Sequence, residues 1–200
     1  DRDAVFAAVD YAEKTLGGFD VIVNNAGNAG QLTPVHLMTD EMWHGVIHVH
    51  LSGTFYCTRE AVKRMLAQGT GGAVINIASV AALRGLPGGS SYTAAKGAII
   101  SFTKGVAQEY AAAGIRVNCI APGWVETPIL ENLPDEIRPL MVANTPLGSD
   151  ARFEDAAGPC TRDLRDPKVG SDVNAAEWSH PVYLAAATDP LVGIYVGGAL

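Results

Sequence analysis

The sequence of 200 residues predicts an α/β fold in which helices cover both faces of a parallel sheet. Three observations carry that expectation. Helical spacing and short β-branched runs alternate three times between residues 3 and 120; the runs are apolar at successive positions; and each run ends in a polar or glycine-bearing loop.

The first helix is expected over 3–16, where Val5, Val9, Ala12 and Leu16 share a face and Gly17-Gly18 supplies the stop. The strand 19–23 follows, entering a loop at Asn24-Asn25-Ala26-Gly27. A helix over 39–66 leads to a strand at 73–78, and a helix over 91–112 leads to a strand at 115–120. Ala121-Pro122-Gly123 then breaks the chain, and a loop-rich stretch to Gly148 carries Trp124, Ile129, Leu130, Leu140 and Met141, the composition of a pocket wall or lid. In 149–177, 11 of 29 residues are charged and neither period is visible, so this segment reads as an insertion, a lid or a disturbed reading frame. From Pro181 the pattern suggests half a helix and then a last strand, 192–196. The whole is read as a single domain over 1–200.

Composition narrows the function. Fourteen Lys and Arg against 21 Asp and Glu give a net charge of −7 with no basic cluster, which argues against nucleic-acid binding. No apolar run approaches the ~20 residues that span a bilayer, and Asp1-Arg2-Asp3 does not resemble a signal peptide. Cys57, Cys119 and Cys160 are scattered, with no disulfide framework or zinc spacing, so a cytoplasmic location is expected. His44 and His48 lie one helical turn apart, but no third ligand is in view and no metal is expected.

In open parallel sheets ligands bind beyond the carboxyl ends of the strands. That rule gathers Asn24 to Gly27, Ser79, and Pro122-Gly123 on one rim. The helix after Ser91 adds a fourth part. Tyr92, Ile99, Val106 and Tyr110 form one stripe, and Lys96 lies only ~40° from Tyr92, so both polar groups face inward. A lysine beside a buried stripe needs an anion, a hydroxyl or a cofactor, and its charge is expected to lower the pKa of a phenol one turn away. Ser79 is placed to hold a substrate oxygen against that phenol. Tyr-x-x-x-Lys alone is weak, with about 0.15 chance matches expected in a chain of this composition.

The conjunction is stronger. Asn24-Asn25-Ala26-Gly27, Ser79 with Tyr92-Thr93-Ala94-Ala95-Lys96, and Ile115-Arg116-Val117-Asn118 with Pro122-Gly123 and Thr127 together resemble the short-chain dehydrogenase/reductase family. The resemblance covers 1–148 well and 178–200 loosely. It implies a Rossmann-like doubly wound sheet whose first βαβ steps precede Asp1, since the Gly-rich phosphate loop is not in these residues. It implies an NAD or NADP cofactor and hydride transfer with a small-molecule secondary alcohol or ketone. Tyr92 would be the general acid/base, Ser79 would orient substrate, and Lys96 would tune Tyr92 and bind the nicotinamide ribose. Asn24, Ala26 and Gly27 would line the adenosine side, and Pro122, Gly123, Val125 and Thr127 would hold the carboxamide. Helices 39–66 and 91–112 resemble the family's subunit contacts, implying a homodimer or homotetramer.

One departure concerns catalysis. Where the family carries a catalytic Asn before a Leu, this sequence has His50 before Leu51. His50 either holds water and relays a proton to Lys96 or is a packed helix histidine. That ambiguity and the missing phosphate loop keep open a second reading, a non-catalytic binding or structural module. A dehydratase or epimerase on the same fold is a third and weaker reading.

Overall fold

The computed structural model describes residues 1–124 and Pro139, together with the backbone of two strands at 182–186 and 193–196. Helix α1 (Arg2–Leu16) starts where the Asp1 carboxylate accepts from the Asp3 N–H at 2.9 Å. It ends at Gly17, whose φ of 77° is left-handed, a conformation that costs glycine little. Strand β1 (Val21–Asn24) follows.

The expected helix 39–66 is built from three pieces. α2 (Asp40–Ile47) is capped by the Thr39 hydroxyl, a π-helical turn spans His48–Ser52, and α3 (Gly53–Gln68) continues to Gln68. The π turn adds a residue to the helical ladder, and such turns recur at functional sites. Strand β2 (Gly72–Ile77), the short helix α4 (Ala81–Arg84), helix α5 (Ser90–Tyr110) and strand β3 (Ile115–Pro122) complete the well-ordered alternation. With only four residues, α4 offers no periodicity from which a sequence reading could find it.

β1, β2 and β3 pair in parallel, with Ile22 opposite Val74 and Val74 opposite Val117. Val9 of α1, Ala61, Val62 and Met65 of α3, and Val106 and Ala107 of α5 pack with Val74 and Val117 into one core. The described helices α1, α3 and α5 therefore share one face of the sheet. On the opposite face Val21 and Val23 are 55% and 54% exposed.

Strands β4 (Val182–Ala186) and β5 (Gly193–Val196) extend the sheet beyond β3, both antiparallel to their neighbours. Residues 182–186, expected to be helical, thus form a strand. Val182 and Tyr183 suit a pleated backbone, and the free edge of β3 offers a row of unpaired N–H and C=O groups that a helix would not satisfy. The last expected strand is present, starting at Gly193. Residues 149–177 lie outside the described residues.

Candidate active site

The carboxyl ends of β1, β2 and β3 set the rim. Beyond β2 the ladder to β3 continues, with Ala78 N–H donating to Ile120 O at 2.7 Å and Val80 N–H to Pro122 O at 2.9 Å. These bonds fix Ser79 beside Pro122 and Gly123, which are half-buried. The Ser79 hydroxyl accepts from the Ala81 N–H at 3.2 Å and lies near enough to the Tyr92 side chain to influence its ionisation.

Tyr92 and Lys96 project from the first turns of α5. Burial raises the Tyr92 pKa above its ordinary value, and the nearby Ser79 hydroxyl partly opposes that rise. This corrects the expectation that Lys96 lowers it. The Lys96 ammonium lies 5.6 Å from the Tyr92 ring centroid and donates to Ile77 O at 2.7 Å, so its charge is directed at a backbone carbonyl. Only 4% exposed, Lys96 is itself pushed down to about 8 by desolvation. Ile77 O is the single hydrogen-bond acceptor it has among the described residues, which leaves donor capacity for hydroxyl groups such as those of a ribose.

The π turn aims His50 into the same region, where it is 1% exposed. Its ring meets the Tyr92 ring edge-on, with centroids 5.2 Å apart. Nε2 lies 2.7 Å from Asn28 O and 3.1 Å from Asn28 N, so the imidazole bonds the backbone of the loop after β1. The shorter contact favours Nε2–H as donor. Nδ1 is buried without a partner among the described residues. Desolvation, with the Lys96 charge adding to it, pulls the His50 pKa down to about 4, and the ring is neutral at physiological pH. No hydrogen bond joins His50 directly to Lys96 among the described residues.

Asn24 ends β1 with its side chain buried. Its amide turns away from the rim into the helix-covered face, donating to Thr58 Oγ1 at 2.9 Å and Asn76 Oδ1 at 2.7 Å. Asn76 in turn donates to Thr103 Oγ1, which donates to Ile99 O. Only the backbone of Asn24 is left to line a ligand. Ala26 and Gly27 are exposed on the rim. An open groove of about 790 Å³ runs between residues 27–31 and the α2 residues Glu41, Met42, Gly45 and Val46. Val125, Thr127, Ile129, Leu130, Leu140 and Met141 lie outside the described residues.

Sequence reasoning missed two partners, Ile77 O and Asn28, because both act through backbone atoms that any residue type supplies. Thr58 and Thr103 left a fainter mark, as polar residues on helix faces that are otherwise apolar. His44 and His48 stack with centroids 5.5 Å apart, and no group of three or more potential metal ligands occurs among the described residues. No helix among those residues is long and apolar enough to cross a membrane.

Residues 1–161 match a protein-family model described as enoyl-(acyl carrier protein) reductase. The chain is 40% identical over 157 residues to a cis-4-hydroxycyclohexanecarboxylate dehydrogenase of Sinomonas cyclohexanicum, covering 78% of this chain and 63% of that protein. It is 39% identical over 157 residues to a 3-oxoacyl-(acyl-carrier-protein) reductase of Thermotoga maritima, with the same 78% and 63% coverage. A 3beta-hydroxysteroid dehydrogenase of Mediterraneibacter gnavus is 39% identical over 150 residues, 75% of this chain and 54% of that protein. The chain thus spans less than two thirds of the length of these curated relatives. The family match extends to residue 161, into the charged stretch that begins at 149.

Proposed function

Because the chain belongs to the short-chain dehydrogenase/reductase family, we propose that it carries the catalytic half of an NAD- or NADP-dependent oxidoreductase acting on a secondary alcohol or ketone. The observation that carries this reading is the convergence of Ser79, Tyr92 and Lys96 at one sheet rim, with the Ser79 hydroxyl near enough to favour the ionised form of Tyr92 and Lys96 buried beside them. The three relatives are named for hydroxy or oxo compounds, in keeping with a carbinol carbon as the reacting centre.

A bound nicotinamide would supply or accept the hydride. The protein's residues do the rest. Tyr92 gives its phenolic proton to a substrate carbonyl oxygen in reduction and takes it back in oxidation. Ser79 holds that oxygen within reach of the phenol, restricting it to the reactive orientation. Lys96 uses its remaining donors on ribose hydroxyls. Gly27, Ala26 and the Asn24 backbone line the adenosine side, while Pro122 and Gly123, followed by Val125 and Thr127, hold the carboxamide. The half-buried Trp124 contributes an apolar wall.

We place the protein in the cytoplasm as a homodimer or homotetramer. Support for the assembly comes from Trp43, Val49, Phe55 and Leu66, large apolar side chains of the α2–α3 helix that are 38–46% exposed.

A second reading has a specific observation behind it. Tyr92 is harder to ionise than a free phenol, as it would be in a binding module without turnover. The test is to express the chain with any coding sequence upstream of Asp1, titrate NADH and NADPH by fluorescence, and assay a panel of ketones. Saturable binding with turnover supports the enzyme. Binding without turnover supports the module, and the absence of both refutes both readings.

A further inference from the structure

We propose that His50 is a positioning residue, a clasp that holds the rim loop 27–31 down beside Tyr92 through its hydrogen bond to the Asn28 backbone. The loop crosses one face of the helix that α2 and the π turn form together. At its start, a Cβ on Gly27 would stand 2.5 Å from His50 Cε1, and near its end a Cβ on Gly30 would stand 2.7 Å from Val46 Cγ2. Val46 and His50 are four residues apart, so the two glycines let the backbone settle onto neighbouring side chains of that face. Further on, Thr33 N–H donates to Gly88 O at 2.8 Å, and that bond anchors the chain after the loop.

Between these contacts, His50 Nε2 is the side-chain atom that bonds the loop backbone, at 2.7 Å from Asn28 O and 3.1 Å from Asn28 N. The Asn28 carbonyl and amide both lie within hydrogen-bond distance of the same ring nitrogen, so either neutral tautomer keeps one bond. The other edge of the ring abuts Tyr92. One imidazole therefore sets the height of the loop, which is one wall of the 790 Å³ groove, relative to the phenol. Its cost is the buried Nδ1, which has no partner among the described residues and which an apolar residue would not carry.

The relevance of the clasp to turnover rests on the oxidoreductase reading, but its test does not, because it needs neither cofactor nor substrate. Hydrogen–deuterium exchange is followed in the chain and in His50→Ala, His50→Leu and His50→Gln. Leu fills the space without a hydrogen bond, whereas the Gln amide reaches the position of Nε2. Loss of one such bond should accelerate exchange across 27–31 roughly 5–10-fold in the Ala and Leu variants, with 72–77 unchanged. Gln should restore the rate to within about twofold of wild type on the same grounds. Protection by Leu equal to that by Gln would reduce His50 to packing and overturn the proposal. Unaltered exchange in every variant, or acceleration that Gln does not reverse, would overturn it as well. Should His50→Ala fail to fold, the Leu and Gln pair decides.

Discussion

Replacing His50 by Gln should remove a pH dependence of stability that the native imidazole builds in. The folded ring is held neutral down to about 4, whereas an unfolded histidine takes up a proton near 6.5. Between those values the unfolded state binds more protons than the folded one, so stability rises with pH across the window and is lost as pH falls from 6.5 towards 4. A depression of that size in a fully buried ring corresponds to about 3 kcal/mol between the two ends of the window. Below about 4 the folded ring also titrates and the contribution levels off. Urea unfolding of wild type and His50→Gln at closely spaced pH values from 4 to 7 isolates the effect, because Gln does not titrate and every other acidic group is common to both proteins. The wild type should lose about 3 kcal/mol more than the variant over that range. Parallel curves would mean that the imidazole is solvated or already charged in the folded state, and the burial argument would fail.

Three further outcomes follow from the same geometry. Asn76→Ala removes the acceptor for Asn24 and a donor to Thr103 at a fully buried position, and chemical denaturation should show a loss of about 2–3 kcal/mol. Gly27→Ala forces a methyl to within 2.5 Å of His50 Cε1, so the loop or the ring must shift. Overpacking of this kind should cost about 1–3 kcal/mol by the same assay and weaken cofactor binding measured by fluorescence. Ser79→Ala withdraws the hydroxyl that favours the phenolate, so the Tyr92 pKa should rise further in an ultraviolet difference titration referenced to Tyr92→Phe.

Much of the fold was legible because its elements are long and periodic. Val5, Val9 and Ala12 announce α1, and the runs at 73–78 and 115–120 announce β2 and β3 to within two residues. The strand at 182–186 was not legible, since Ala185 and Ala186 favour a helix and the pairing that overrides them comes from a β3 edge distant in sequence. The meeting of Ser79, Tyr92 and Lys96 followed from helical spacing and the strand-end rule. Their electrostatics did not. Helix geometry places Lys96 near Tyr92, but burial decides the direction of the phenol's shift, and the ammonium bonds Ile77 O rather than the phenol. The inward partners of Asn24 were not legible either, because strand alternation turns its amide to Asn76 and Thr58, which are distant in sequence. His50 was ambiguous in sequence because its partner is a backbone carbonyl.

The central claim is that Tyr92 moves the proton in hydride transfer, and the Tyr92→Phe variant tests it most directly, since it keeps the ring packed against His50 and deletes only the hydroxyl. With any coding sequence upstream of Asp1 included, and a ketone that the wild type reduces, kcat should fall by about 10²–10⁴-fold while the Kd for the nicotinamide cofactor stays within about twofold. A variant that binds cofactor equally well and turns over within about threefold of wild type would contradict the claim, because no general acid of that importance could then reside on Tyr92.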